Sequence, residues 1–528
     1  MALPLHKVLV SDAVDETCVH LLQKYGFYVT CKYKLSTEEL IKEIQDYDAL
    51  IVRSDTKVKA EVLAAAAKLR VVGRAGTGVD NIDTEAATRR GVIVLNTPGG
   101  NSVSACELTC ALITSLARNV AQGSQSLKEG RWDRKLYTGS ELQGKTLAVL
   151  GLGRIGREVA SRMRGFGMKV VGFDPLVDAE QARALGIEKA DLEQIWPVAD
   201  YITVHTPLIP QTRNLINETT LAKCKKGVKV VNVARGGIVD EKALLNSLKA
   251  NHCGGAALDV FSEEPPKSPW LLELVRHPKV LATPHLGAST GEAQVRVAVE
   301  IAEQLVALSQ PDSGFSVTGV VNAPILGDLR DPSNAPWVSL GQSMGAIAAK
   351  LVGPETKWAD VTLELLTQGV MTKKMRFLTT AVLSGMLGSR CQNGLNLINA
   401  PLLAQEAGLK LSLNHTADSD DLQEQVSLKI VTNASTHTLA GTSRGGESWL
   451  LSIDDSVFSS GVPLNENTLL FKGSDAPKDC ANLIGEMVKN GASVTNMAVA
   501  LGQSVWISVQ THSPLTRQVK VDNLKSYV

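Results

Sequence analysis

The residues best equipped for chemistry lie in three short stretches: Asn232-Val-Ala-Arg235-Gly-Gly-Ile-Val-Asp240, Leu258-Asp259-Val-Phe-Ser-Glu263-Glu264-Pro265 and Thr283-Pro284-His285-Leu-Gly-Ala-Ser-Thr290. A histidine titrates near neutrality, so His285 suits an acid/base. A carboxylate beside it, Glu264, would hold the imidazole in one tautomer and raise its pKa. A guanidinium grips a carboxylate through two parallel hydrogen bonds, the part that fits Arg235. Together they suit oxidation of a 2-hydroxy acid, in which a base takes the hydroxyl proton as hydride leaves C2. Each also has an ordinary alternative: a structural histidine after a proline, a solvated turn at Glu263–Glu264, a surface arginine. The shared setting of all three favours the chemical reading.

A hydride needs an acceptor, and a fourth stretch provides for one. Lys145-Thr-Leu-Ala-Val-Leu-Gly151-Leu-Gly153-Arg154-Ile155-Gly156-Arg-Glu-Val carries Gly-x-Gly-x-x-Gly directly after a strand pattern and at the head of a helical one. Gly151 permits the tight turn, Gly153 leaves room for a pyrophosphate, and Gly156 lets the helix pack close to the sheet. The helix N-terminus offers unpaired N–H groups to the same anion. Such a glycine pattern alone describes any tight turn. Asp174, 18 residues beyond Gly156 and at the end of the next strand, adds a carboxylate for the ribose hydroxyls that would repel a 2′-phosphate. The combination predicts NAD rather than NADP as cofactor.

These side chains need strand ends to stand on. Strand patterns at 7–10, 28–31, 49–52, 70–73 and 92–95 alternate with helical ones, the signature of βαβ units and a parallel sheet. After a helix over 101–118, a second series at 146–150, 169–173, 201–204, 228–233, 256–260 and 280–282 predicts a doubly wound sheet, closed by a helix from about 290 to 309. Residues 310–335, rich in Pro, Gly, Ser and Asp, read as a linker. The remainder reads as mixed α and β without an evident site.

The chain has 528 residues, 44% hydrophobic and 20% charged, which fits about three packed domains. Its 54 basic and 54 acidic residues cancel, so the overall electrostatic footprint of a nucleic-acid binder is missing. No apolar run approaches the roughly 18 residues of a membrane span, and the N-terminus lacks the pattern of a signal peptide. Eight scattered cysteines point to a reducing, cytoplasmic setting rather than a disulfide framework. Cys106 and Cys110 stand four apart on a helix, but without His or Cys at ligand spacing they read as packed thiols, and no metal is expected.

The glycine fingerprint, Arg-Gly-x-x-Val-Asp, Asp-Val-Phe-x-x-Glu-Pro and Pro-His, in this order and at long spacing, resemble the D-2-hydroxyacid dehydrogenase family over roughly residues 5–310. That resemblance implies Arg235, Glu264 and His285 as catalytic residues. It also implies contacts to NAD from Thr77, Arg154, Ile155, Asp174, Thr206, Val233, Arg235, Asp259, His285, Leu286, Gly287 and Ala288, alongside the three glycines. It further implies a discontinuous substrate domain (1–98 and 286–310) around a NAD domain (99–285), with hinges near Pro98 and His285 that close a cleft.

Arg53 and Arg74 end strands of the first series, on the face turned to that cleft. With Arg235 committed to the carboxylate, they are available to bind a second anion, unless either pairs with a nearby Asp. The run Val-Gly-Arg-Ala-Gly-Thr-Gly-Val-Asp-Asn and the long C-terminal extension resemble the long, animal-type members of the family. This implies D-3-phosphoglycerate as substrate and 3-phosphohydroxypyruvate as product, at the entry to serine synthesis. It also implies an intervening domain over 311–455, an ACT-like module over 456–528 whose final helix is not evident, and a dimer of dimers in which Arg134 and Lys135 reach a neighbouring subunit's site. The expected fold class is therefore α/β, two Rossmann-like domains followed by a mixed α+β region. The competing readings are a glyoxylate or hydroxypyruvate reductase, which usually lacks such an extension, and an NADH-sensing, corepressor-like scaffold that would bind without turnover.

Overall fold

The computed structural model describes residues 3–391, 394–416, 424–512 and 525–526. Among them, the first strands are β1 (Lys7–Val10), β2 (Tyr28–Cys31), β3 (Ala49–Val52), β4 (Val71–Arg74) and β5 (Ile93–Leu95), in the order β2-β1-β3-β4-β5 and all parallel. β3 is buried along its whole length, which is why it reads as an unbroken apolar run: a parallel sheet is covered on both faces. The order reverses between β1 and β3, and the carboxyl ends at such a reversal form a natural crevice.

The second sheet holds β6 (Thr146–Leu150), β7 (Lys169–Phe173), β8 (Glu188–Lys189), β9 (Tyr201–Val204), β10 (Lys229–Asn232), β11 (Gly255–Leu258) and β12 (Val280–Ala282). Its order is β12-β11-β10-β9-β6-β7-β8, again parallel, with the reversal between β6 and β9. The two-residue edge strand β8 has no counterpart in the sequence reading, because it is too short to show a period.

Two long helices exchange sheets. Helix Ser102–Arg118 follows the first sheet in the chain but buries Cys106, Leu112, Ile113 and Leu116 in the core of the second. Helix Gly291–Ser309 follows the second sheet and buries Val297, Ile301, Ala302 and Leu305 in the core of the first. The two crossing segments touch: Ser104 Oγ lies 2.7 Å from Thr290 Oγ1, and Arg296 Nε donates to Gly100 O at 3.0 Å.

The stretch 310–335 is not a free linker. Residues 315–322 form a strap along β5, the last strand of the first sheet. Leu95 and Val320 form an antiparallel bridge, Val321 N donates to Val94 O at 2.9 Å, and Asn322 accepts from Val94 N and donates to Thr88 Oγ1 and Val92 O. An unpaired edge strand exposes donors and acceptors, and the strap satisfies part of that row.

A third sheet contains β13 (Thr362–Gln368), β14 (Lys410–Thr416), β15 (Gln425–Val431), β16 (Thr436–Arg444), β17 (Glu447–Ile453) and β18 (Ser456–Pro463), in the order β14-β13-β15-β16-β17-β18. β13 and β15 alternate buried with mostly half-buried residues, and their buried sides share a core with helices Ala335–Val352 and Phe377–Gly388. The expected boundary at 456 falls between β17 and β18, which pair with each other: Trp449 with Pro463 and Ile453 with Ser456. Beyond β18 come β19 (Thr468–Gly473), β20 (Val494–Leu501), β21 (Val505–Thr511) and β22 (Lys525–Ser526), ordered β20-β21-β19-β22, with helix Ala476–Lys489 contributing to the core. The remaining part of the expected ACT-like end, 513–524 and 527–528, lies outside the described residues. No helix among the described residues is long and apolar enough to cross a membrane. All eight cysteines are free thiols.

Candidate active site

The carboxyl ends of the two parallel sheets face a common cleft of about 560 Å³. Its walls include Arg53, Arg74, Thr77 and Gly78 from the first sheet, and Arg235, Asp259, Glu264, His285 and Ala288 from the second.

His285 reaches the cleft from the turn after β12. Asp259, fully buried after β11, holds that turn: its carboxylate accepts from Thr283 Oγ1 (2.6 Å), Leu286 N (2.7 Å) and Gly287 N (2.9 Å), and its carbonyl accepts from His285 N (2.9 Å). Asp259, expected at the cofactor, thus spends its oxygens on the 283–287 turn. Glu264 accepts from Phe261 N at 2.9 Å and pairs with His285 Nδ1 at 2.7 Å. The hydrogen bond to Glu264 raises the pKa of His285 despite burial, with the carboxylate charge adding to the rise. Burial pushes Glu264 up, but hydrogen bonds from His285 and Phe261, with the charges of His285 and Arg235, leave it below the usual range. The pair is therefore set as carboxylate and Nδ1–H imidazole, with Nε2 the remaining ring nitrogen.

Three guanidiniums converge opposite. Arg235 crosses from the end of β10 to the first domain's loop, where its Nε meets Asp80 Oδ2 at 3.1 Å. A side chain at Gly78 would overlap the Arg235 guanidinium. Arg74 gives its Nε to Asn81 Oδ1 at 2.9 Å. Burial, then the charge of Arg235 and more weakly that of Arg53, push it down to about 10. Arg53 keeps its Nε buried and without a hydrogen-bond partner. Like charges gathered in partial burial favour an anion between them. Neither Arg53 nor Arg74 pairs with an Asp, the alternative the sequence had left open; Asp80 takes Arg235 instead.

The glycine loop lies at the reversal of the second sheet. Gly151 has φ +99°, and a Cβ there would lie 2.6 Å from His205 O. A Cβ at Gly156 would overlap Gly151 O, whereas one at Gly153 would meet nothing within 4 Å. Gly153 and Arg154 are exposed where a groove of about 540 Å³ runs past Ser102 and Arg157. The helix Arg154–Arg164 starts without a side-chain cap, so its first N–H groups face that groove. Asp174 accepts from Leu152 N and Leu176 N, both at 2.8 Å, tying the loop to the end of β7. Thr206 Oγ1 is buried with no partner, an orphan that a bound group would satisfy. Ile155 and Val233 pack into the second core, Leu286 is exposed, and Thr77 gives its hydroxyl to Asn101 Oδ1 (2.6 Å). Open space over Gly153, an uncapped helix start and an orphan hydroxyl suit a dinucleotide.

Three supporting residues escaped the sequence reading. Asp12, buried at the end of β1, accepts from Arg53 N (2.6 Å), Thr56 N (3.1 Å) and Thr56 Oγ1 (2.6 Å). Asp80 pairs with Arg235, and Asn81 bonds Arg74. The last two stand inside the quoted run 72–81, where the only available signal was a polar pair following a glycine turn. Arg134 and Lys135 are exposed and do not line the cleft.

Residues 110–287 match the family model described as the D-isomer specific 2-hydroxyacid dehydrogenase NAD binding domain, and residues 334–453 match the D-3-phosphoglycerate dehydrogenase intervening domain. D-3-phosphoglycerate dehydrogenase of Rattus norvegicus is 47% identical over 93% of this chain and 91% of its own length. That of Homo sapiens is 46% identical over 94% and 93%, and that of Bacillus subtilis is 40% identical over 83% and 81%. Among solved structures, a D-lactate dehydrogenase from Aquifex aeolicus complexed with NAD and lactic acid is similar, with 25% identity and a TM-score of 0.55 over 60% of this chain and all of that one.

Proposed function

The chain belongs to the D-3-phosphoglycerate dehydrogenases, within the D-isomer specific 2-hydroxyacid dehydrogenase family, and from that membership we propose that it oxidises D-3-phosphoglycerate to 3-phosphohydroxypyruvate with NAD, a step that leads toward L-serine. The observation that carries the reading is the meeting of an imidazole–carboxylate pair, 2.7 Å apart, with Arg53, Arg74 and Arg235 in one cleft.

NAD, when bound, supplies the hydride acceptor. The uncapped helix start at Arg154, with Gly153 open above it, would hold the pyrophosphate, and Asp174 and Thr206 would hold the adenosine and nicotinamide sides. Arg235 takes the substrate carboxylate. The Arg235–Asp80 pair is exposed, with Asp80 66% accessible, and such a pair contributes about 1 kcal/mol or less, so a carboxylate in the cleft readily replaces Asp80. Arg53 and Arg74 take the phosphate through charge-assisted hydrogen bonds. His285 Nε2 accepts the C2 hydroxyl proton, and Glu264 stabilises the imidazolium that forms.

The test is to follow NADH absorbance with D-3-phosphoglycerate and unphosphorylated D-glycerate. The phosphorylated acid should be preferred by at least roughly tenfold in kcat/KM, and Arg53→Ala should raise its KM. Equal rates on the two acids would sink the phosphate assignment. We further assign Arg134 and Lys135 to a subunit contact of a homo-oligomer, because Trp132 and Leu136 beside them are 75% and 71% exposed. The eight free thiols support a cytoplasmic setting.

A further inference from the structure

Asn81 is 5% exposed and does not line the cleft, yet its one amide joins both arginines assigned to the phosphate. Its Nδ2 donates to Arg53 O at 2.8 Å and to Thr56 O at 2.7 Å, and its Oδ1 accepts from Arg74 Nε at 2.9 Å. The 53–56 loop is therefore clamped on both sides: Asp12 takes its N–H groups and Asn81 takes its carbonyls. This uses the amide's two donors and its acceptor.

We propose that Asn81 is a positioning residue for phosphate recognition, one that fixes the separation and aim of the Arg53 and Arg74 guanidiniums so that both meet a single oxyanion. The inference rests on the phosphate assignment above. The chemistry explains why an amide serves. A carboxylate at this position would neutralise Arg74 and lose both donors to the 53–56 loop. An apolar residue would leave two carbonyls and one guanidinium N–H unmatched in a buried place, which is costly. The neutral amide occupies only Nε of Arg74 and leaves Nη1 and Nη2 for a ligand. Arg53, whose Nε has no protein partner, is held through its backbone and keeps its guanidinium free in the same way.

The experiment is steady-state kinetics on full-length Asn81→Ala and Asn81→Asp beside wild type and Arg53→Ala, with D-3-phosphoglycerate, D-glycerate and NAD each varied. Both Asn81 variants should raise KM for D-3-phosphoglycerate by roughly tenfold or more. KM for NAD and the constants for D-glycerate should stay within about twofold, so that selectivity between the two acids falls. Asn81→Asp has nearly the same volume and keeps the test open if Asn81→Ala does not fold, and NADH binding and thermal melting report on folding. The proposal is overturned if a folded variant keeps the wild-type KM for D-3-phosphoglycerate while Arg53→Ala raises it. It is also overturned if both acids lose equally, which would make Asn81 a general support of the loop. If wild type and Arg53→Ala fail to distinguish the two acids, the phosphate assignment fails first and this inference falls with it.

Discussion

His285 has φ +55°, a left-handed conformation that a non-glycine residue keeps at a cost of about 1 kcal/mol or more. Asp259 sustains it through the bonds to the backbone of 285–287, which points the imidazole at Glu264. The chemistry has a signed pH dependence. In the proposed mechanism oxidation needs neutral His285, whose pKa is raised chiefly by the hydrogen bond to Glu264. The acidic limb of kcat/KM for oxidation should therefore lie above the ordinary histidine range, with activity rising as pH climbs through it. The reductive direction needs the protonated ring and should run oppositely. Glu264→Gln removes the raising charge, weakens the hydrogen bond and leaves the lowering effect of burial, so the limb should move to lower pH and kcat should drop about 10²-fold or more. A limb that stays in place would remove Glu264 from the pair. Arg235, Glu264 and His285 were legible because each sits in a short motif. Asn81 was not, because Arg53 and Thr56 reach it only after β3 and β4 pair.

Elements decide what each glycine of the fingerprint can tolerate. Gly156 is packed under the loop and Gly153 is open, so alanine should act differently at each. Gly156→Ala overpacks a closed contact and should cost about 1–3 kcal/mol of stability, read as a lower melting temperature. Gly153→Ala should melt as wild type but weaken NAD binding, because its methyl occupies the space where a pyrophosphate approaches, and fluorescence titration with NADH would show it. A Gly153 variant with unaltered affinity would place the cofactor elsewhere. The loop could be read because strand, turn and helix are contiguous. The strap was misread for the converse reason: Pro, Gly, Ser and Asp suggest a linker, while the partners of Val320 and Asn322 lie on β5 and the segment before it, more than 200 residues earlier.

At the scale of the whole molecule, two parallel sheets turn their carboxyl ends toward each other. The chain crosses between them twice, where Ser104 meets Thr290, and Arg235 spans the gap to Asp80. The double crossing was implied by the family resemblance, but the geometry of the contact was not legible, since it depends on which face each helix buries. The cluster of three guanidiniums also has a consequence at the bench. Buffer oxyanions are crude copies of the substrate's phosphate, so sulfate and inorganic phosphate should raise the melting temperature by mass action and compete with D-3-phosphoglycerate in rate assays. A titration of melting temperature against sulfate, repeated with Arg74→Ala, should give a rise that the variant largely lacks. Turnover recorded in phosphate buffer would then understate this protein's avidity for its substrate, and comparisons between preparations would partly reflect the salt in the tube.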